Sequence, residues 1–131
     1  MTIPMRDLME LAVQQNASDI HLKFNNPPIL RVDGVLRRIS NCQPLNDEDL
    51  RYYLSQIASP IDIAKFEKVF ELDLSYYFEK KARFRVNVCK DDGHIRIVMR
   101  LIPLKIRTIE ELGLPLILKK LCKLKNGLIL F

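Results

Sequence analysis

No apolar run in these 131 residues approaches the roughly twenty needed to span a bilayer. The N-terminus also lacks the charged, apolar and small-residue regions of a signal peptide, so the expected location is the cytoplasm. Cysteine is sparse: Cys42, Cys89 and Cys122 are widely spaced and no CxxC occurs. The histidines, His21 and His94, lie far apart. Neither a disulfide framework nor a zinc site is supported. No GxxxxGK[ST] loop is present, so nothing in the chain cradles nucleotide phosphates in the P-loop manner. There is no internal repeat and no low-complexity segment. What remains is 48% apolar and 28% charged, the balance of one globular domain with a real core. The net charge of +5 suits an anionic partner without choosing among nucleotide, nucleic acid and membrane surface.

The hydrophobic period changes along the chain. Met5, Leu8, Met9 and Ala12 share one helical face, with Thr2 as a candidate cap and Asn16 suited to the helix end. In ASDIHLKF, Ile20, Leu22 and Phe24 alternate with Asp19, His21 and Lys23, the pattern of a half-buried strand. ILRVD and VLRRI flank Asp33-Gly34, a strong hairpin signal. Two helices are expected next. One opens at Asn46 with Asp49 three residues on, burying Leu50, Tyr53, Leu54 and Ile57. The other opens at Ser59-Pro60, with Ile63, Phe66 and Phe70 inward. Strand patterns return over Leu72 to Phe78, then through RFRVNVCKDDGHIRIVMRLIP. After Pro103 a helical connector is expected: a capping box from Thr108 to Glu111, then a helix from Pro115 with Ile117, Leu121 and Leu124 inward. Finally Lys125, Asn126 and Gly127 signal a turn. Leu128 to Phe131 read as a buried parallel strand, which needs neighbours on both sides.

The Asp92-Gly93 turn makes a testable register. Asp91 faces His94, Cys89 faces Arg96, and Arg85 faces Arg100. The inward pairs become Phe84 with Leu101, Val86 with Met99, and Val88 with Ile97, all apolar, whereas a one-residue slip sets apolar against polar. Arg85 then lies beside Arg100, with Arg83 one step along. Opposed like charges destabilise a sheet by some tenths of a kcal/mol up to about 1 kcal/mol, so something must offset them. A bound phosphate or carboxylate would do so, because guanidinium grips either in forked geometry. A solvated basic face, or pairing with Asp73 or Glu79 on the neighbouring strand, is the simpler reading of the residues alone.

The other candidates are weaker. His21 reads as a surface histidine, since no nucleophile is tied to it by spacing. Asp19 and Asp33 as an acid–base pair compete with ordinary turn and ion-pair roles. Lys119, Lys120, Lys123 and Lys125 read most simply as a solvated helix face near a helix C-terminus. A nucleic-acid module wants aromatics interleaved with the basic residues, and the arginine face lacks them. A ligand-sensing module wants a polar-lined cavity, and the inward face is Leu, Val, Ile, Phe and Met.

Taken in order, ASDIHLKFNNPPILRVDGVLRRI, ARFRVNV, IVMRLIP, TIEELGLP and KNGLILF resemble the N-terminal region of the type II/IV secretion ATPases, nearest to the type IV pilus retraction motors of the PilT type. The resemblance covers essentially the whole chain. It implies an α+β fold: a PAS-like N-terminal domain over residues 1–103, an antiparallel sheet with helices on one face. Residues 104–131 then form a connector and the first strand of a RecA-like ATPase domain whose Walker motifs lie beyond residue 131. It further implies a cytoplasmic homo-hexamer, peripheral at the inner membrane beside a platform protein. ATP and Mg would serve the full-length enzyme, and the isolated piece would be inactive. Nucleic acid is not an expected partner. By the resemblance, Arg85 and Arg100, with Arg83 and Arg96 as helpers, reach the phosphates of ATP bound by the RecA-like domain of the same or a neighbouring subunit. Residues 104–108 would be the hinge. Pilus-extension and type II secretion ATPases are near relatives. IRIVMRLI resembles the secretion enzymes equally well, while the short segment before ASDIHL favours the retraction type that drives twitching motility.

Overall fold

Pleated segments of period two pair into a six-stranded antiparallel sheet in a computed structural model that describes residues 2–130. In chain order the elements are α1 (Met5–Gln14), β1 (Asp19–Lys23), β2 (Ile29–Val32), β3 (Val35–Arg38), α2 (Asp47–Ile57), α3 (Pro60–Val69), β4 (Glu71–Phe78), β5 (Ala82–Asp91), β6 (His94–Pro103) and α4 (Ile117–Leu121). The sheet order is β3-β2-β1-β6-β5-β4. The N-terminal meander and the C-terminal meander therefore meet at the β1–β6 pair in the centre.

Local chemistry explains most boundaries. Asn46 and Asp49 form a reciprocal capping box at the start of α2, and Ser59 and Asp62 form another at α3, where Pro60 occupies the first turn. Both Asp33-Gly34 and Asp92-Gly93 have positive φ at each residue (50° and 78°; 52° and 83°). Two consecutive left-handed residues match the twist of the flanking strands, which is why an aspartate–glycine pair serves. The β5–β6 register is as the turn dictates: Arg85 opposes Arg100, and Phe84, Val86 and Val88 oppose Leu101, Met99 and Ile97.

One core joins the inner sheet face to the apolar stripes of α1, α2 and α3. Ile20, Leu22, Leu30, Phe84, Val86, Val88, Ile97 and Met99 meet Leu8, Met9, Leu50, Tyr53 and Phe66, all buried. Tyr53 satisfies its hydroxyl by donating to the Ile3 carbonyl at 2.7 Å, so its burial leaves no orphan there. This closely filled interior fits a packing layer, not a ligand chamber.

Three local expectations are revised. Thr2 does not cap α1; its hydroxyl donates to Asp49 Oδ1 at 2.7 Å, tying the N-terminus to α2. Phe70 is not an inward residue of α3. It is the C-cap, in the left-handed region at φ 58°, and is exposed beneath the Lys90 ammonium at 3.9 Å. The connector buries none of its apolar stripe among the described residues. Thr108 and Glu111 do form their capping box, and Gly113 has φ +67°. α4 is a single short helix, however, with Ile117 and Leu124 exposed. Residues 128–130 are in no strand among the described residues, and Phe131 lies outside them.

Burial separates the two regions energetically. Phe84→Ala is expected to cost about 3–5 kcal/mol, the sum of lost transfer energy and a residual cavity. Ile106→Ala, at a residue that is 90% exposed, is expected to stay within about 0.5 kcal/mol of the parent. Denaturant titration of both variants measures this.

Candidate functional site

The site is a row of charges across the outer sheet face. Directly opposed residues in neighbouring strands share a face, so the register aligns Ser75, Arg85, Arg100, Asp19 and Arg31 across five strands. Sequence reasoning placed Arg85 beside Arg100. It missed that Asp19 comes next.

That aspartate changes the electrostatics. Its side chain is only 5% exposed. Arg100 Nε donates to Asp19 Oδ1 at 2.9 Å, Ser18 Oγ donates to Oδ2 at 2.8 Å, and Arg31 Nε lies 3.3 Å from Oδ2. The Arg100 side chain is nonetheless 71% exposed, so it is anchored through Nε while its outer end faces solvent. Arg85 has no carboxylate within ion-pair distance among the described residues. With Asp19, Asp73, Asn87, Val98 and Arg100 it lines an open concavity of about 270 Å³. Pairing with Asp73 or Glu79 is not what occurs. Asp73 accepts a long hydrogen bond from Asn87 (3.4 Å), and Glu79 binds Arg6 (2.7 Å) and Lys81 (3.5 Å).

The two helpers are differently placed. Arg83 opposes Tyr77 and Ile102, and its guanidinium lies 6.0 Å from the Tyr77 ring centre. Its Nε is buried without a hydrogen-bond partner. Arg96 sits four residues from Arg100 along β6, roughly 13 Å away at strand rise. It lies 3.6 Å from Asp91, which also binds Lys23 at 2.9 Å. The structure thus brings Arg85 and Arg100 together, with Arg83 beside them, and leaves Arg96 apart, where it shares Asp91 with Lys23.

His21 occupies the next row, between Val98 and Ile29. Burial lowers its pKa; Asp19 opposes that effect, and Arg31, Arg96 and Arg100 reinforce it, so the ring is held neutral. Its Nε2 is buried without a partner. The pKa of Asp19 is lowered too, which in a carboxyl group favours the charged form. Burial pushes its carboxyl up, but hydrogen bonds from Ser18 and Arg100, together with the charge of Arg100, bring it below the ordinary carboxylate value. With both oxygens engaged by Arg100, Ser18 and Arg31, Asp19 is not half of an acid–base pair with Asp33. Lys119 is bonded to Glu110, as expected of a solvated helix. No group of three or more histidine, cysteine or acidic residues among the described residues is placed to hold a metal ion. No described helix is long and apolar enough to cross a membrane.

This α+β domain, with arginines on an open sheet face, is similar in sequence to type IV pilus ATPases and in fold to the pilus retraction motor PilT and the ATPase DotB. In particular it is PilT-like. It is 36% identical over 124 residues, 95% of this chain, to the type IV pilus retraction ATPase PilT of Pseudomonas aeruginosa, and 31% identical over 124 residues to the type IV pilus ATPase PilU of the same organism. The solved structure of the pilus retraction motor PilT with bound ADP matches with a TM-score of 0.76 and 30% identity, covering 93% of this chain and 35% of that one. The Legionella pneumophila ATPase DotB matches with a TM-score of 0.74 and 27% identity, over 94% of this chain and 35% of that one. The chain spans 36% of the PilT relative and 32% of PilU, about a third of each. No protein-family model matches.

The neutral histidine has a consequence for stability. An unfolded histidine titrates near 6.5, above the folded value, so the unfolded state takes up the proton first as pH falls. Stability from this residue is complete above about pH 6.5 and is lost as pH drops through the window below it. His21→Gln is therefore expected to flatten the decline in denaturation midpoint between about pH 7 and pH 5. An unchanged slope would place the acid sensitivity elsewhere.

Proposed function

We propose that this chain is the N-terminal domain of a hexameric ATPase that powers type IV pilus retraction, and that Arg85 and Arg100 reach the phosphates of ATP bound by a RecA-like domain. The single observation that carries this reading is the pairing of two exposed guanidiniums on the open sheet face, one with no carboxylate partner and the other held only by Nε. Like charges brought together at a cost in stability suit a polyanion supplied from outside the domain. The 36% identity to a retraction ATPase favours retraction over extension or secretion.

The connector supports the same reading. Leu104, Ile106, Leu114, Leu116, Ile117, Leu124, Leu128 and Leu130 are all exposed in a stretch of 27 residues. Isolated apolar residues on a surface need no explanation, but this density marks a segment that docks on something. A RecA-like domain of the same or the next subunit is the partner that fits, and residues 104–108 are the hinge between the two. ATP is the substrate of the assembled enzyme. The arginines here suit its phosphates, and Mg would accompany ATP in the full-length enzyme. The enzyme works in the cytoplasm, at the inner-membrane platform of the pilus machine.

During phosphoryl transfer negative charge spreads over the transferred group, and a guanidinium at hydrogen-bond distance stabilises it. In the complete ATPase that carries this domain, Arg85→Ala combined with Arg100→Ala is expected to lower ATP turnover by at least about 100-fold. Steady-state hydrolysis measures it, and turnover equal to the parent would overturn the assignment.

A further inference from the structure

We propose that Asp19 is a positioning residue for Arg100: it holds the guanidinium by one nitrogen so that the remaining fork faces an incoming phosphate. The inference rests on the phosphate-contacting role of Arg100 and assigns a task to a residue outside the arginine set.

The geometry is unlike that of an ion pair serving only the fold. A structural arginine–carboxylate pair commonly meets in two parallel bonds that use the fork. Here the contact runs through Nε alone, leaving both Nη groups of an exposed side chain free. Asp19 is buried and cannot swing out to follow Arg100, because Ser18 Oγ and Arg31 Nε hold its second oxygen. The rigid partner therefore sits under the sheet surface and the mobile one above it, so the rotamer of Arg100 is set from below.

Electrostatics acts in the same direction. Without the Asp19 charge the row would contain Arg85, Arg100 and Arg31 with no anion between them. Arg100 would be repelled from Arg85 and free to point away. With it, Arg100 is pinned beside Arg85, and the pair presents two cationic groups to one concavity. Holding a charged group in its working geometry before substrate arrives removes reorganisation from the reaction step.

The test is a double-mutant cycle in the complete ATPase, with kcat and KM for ATP measured for the parent, Asp19→Asn, Arg100→Ala and the double variant. Arg100→Ala is expected to lower kcat on the order of 100-fold. Asp19→Asn, which keeps shape and removes charge, is expected to lower kcat about tenfold with KM within about twofold. The double variant should be no slower than Arg100→Ala alone, because Asp19 acts through Arg100. If the two losses multiply, or if Asp19→Asn matches the parent while Arg100→Ala is slow, the positioning role is wrong and the phosphate reading survives. If Arg100→Ala itself matches the parent, the phosphate reading fails and this inference fails with it. Should Asp19→Asn not assemble, Ser18→Ala removes one of the two contacts that hold the second oxygen of Asp19, together with a long bond to the Arg31 carbonyl (3.4 Å), and keeps the carboxylate itself. It is expected to lower kcat about threefold in the parent and not at all in Arg100→Ala; equal loss in both backgrounds overturns the proposal.

Discussion

Much of this domain depends on a two-residue reversal at Asp92-Gly93. Because side chains alternate along a strand, the turn length fixes which residues of β5 and β6 share a face. Here it sends Phe84, Val86, Val88, Ile97 and Met99 inward and Arg85, Arg96 and Arg100 outward. A slip of one residue would drive guanidiniums into the core and expose the largest apolar side chains of the hairpin. The energy of the core therefore enforces the charge pattern of the outer face, and opposed arginines persist although they repel.

The outer face manages that repulsion unevenly. Arg96 is met by Asp91, and Arg31 shares Asp19 with Arg100. Arg85 has no such partner among the described residues. The uncompensated charge is therefore concentrated beside β5 instead of being spread across the sheet. A similar local compromise occurs at the β4–β5 turn. Glu79 and Lys80 both take positive φ, 45° and 57°, without the help of glycine or asparagine. Left-handed backbone costs such residues about 1–2 kcal/mol each. The turn is surrounded by ion pairs from Arg6 and Lys81 to Glu79 and from Lys81 to Glu10, which fasten it to α1.

Legibility followed the range of the interactions. The amphipathic helices, the helix starts at Asn46 and Ser59-Pro60 and both Asp-Gly hairpins are contained in windows of a dozen residues or fewer, and each was readable. So was the opposition of Arg85 and Arg100, which a short turn dictates. Thr2 was misjudged because its hydroxyl found Asp49, 47 positions away, in place of its own helix. Phe70 was misjudged because a helical period was carried one residue past the end of the helix, onto a left-handed C-cap. The connector's apolar stripe was readable as a pattern, but a pattern does not say where its partner lies.

The same division separates the site into two parts. Hydrophobic period and turn chemistry, both local, were enough to put two arginines side by side on a polar face. Which groups stand next to them was settled only when β1 and β6 came together and set Asp19 against Arg100, 81 positions on. No residue near Asp19 in the chain announces that contact. It exists because strands from opposite ends of the domain share the centre of one sheet, and the hydrogen bonds from Ser18 and Arg100, with the charge of Arg100, then keep the carboxylate charged in spite of its burial.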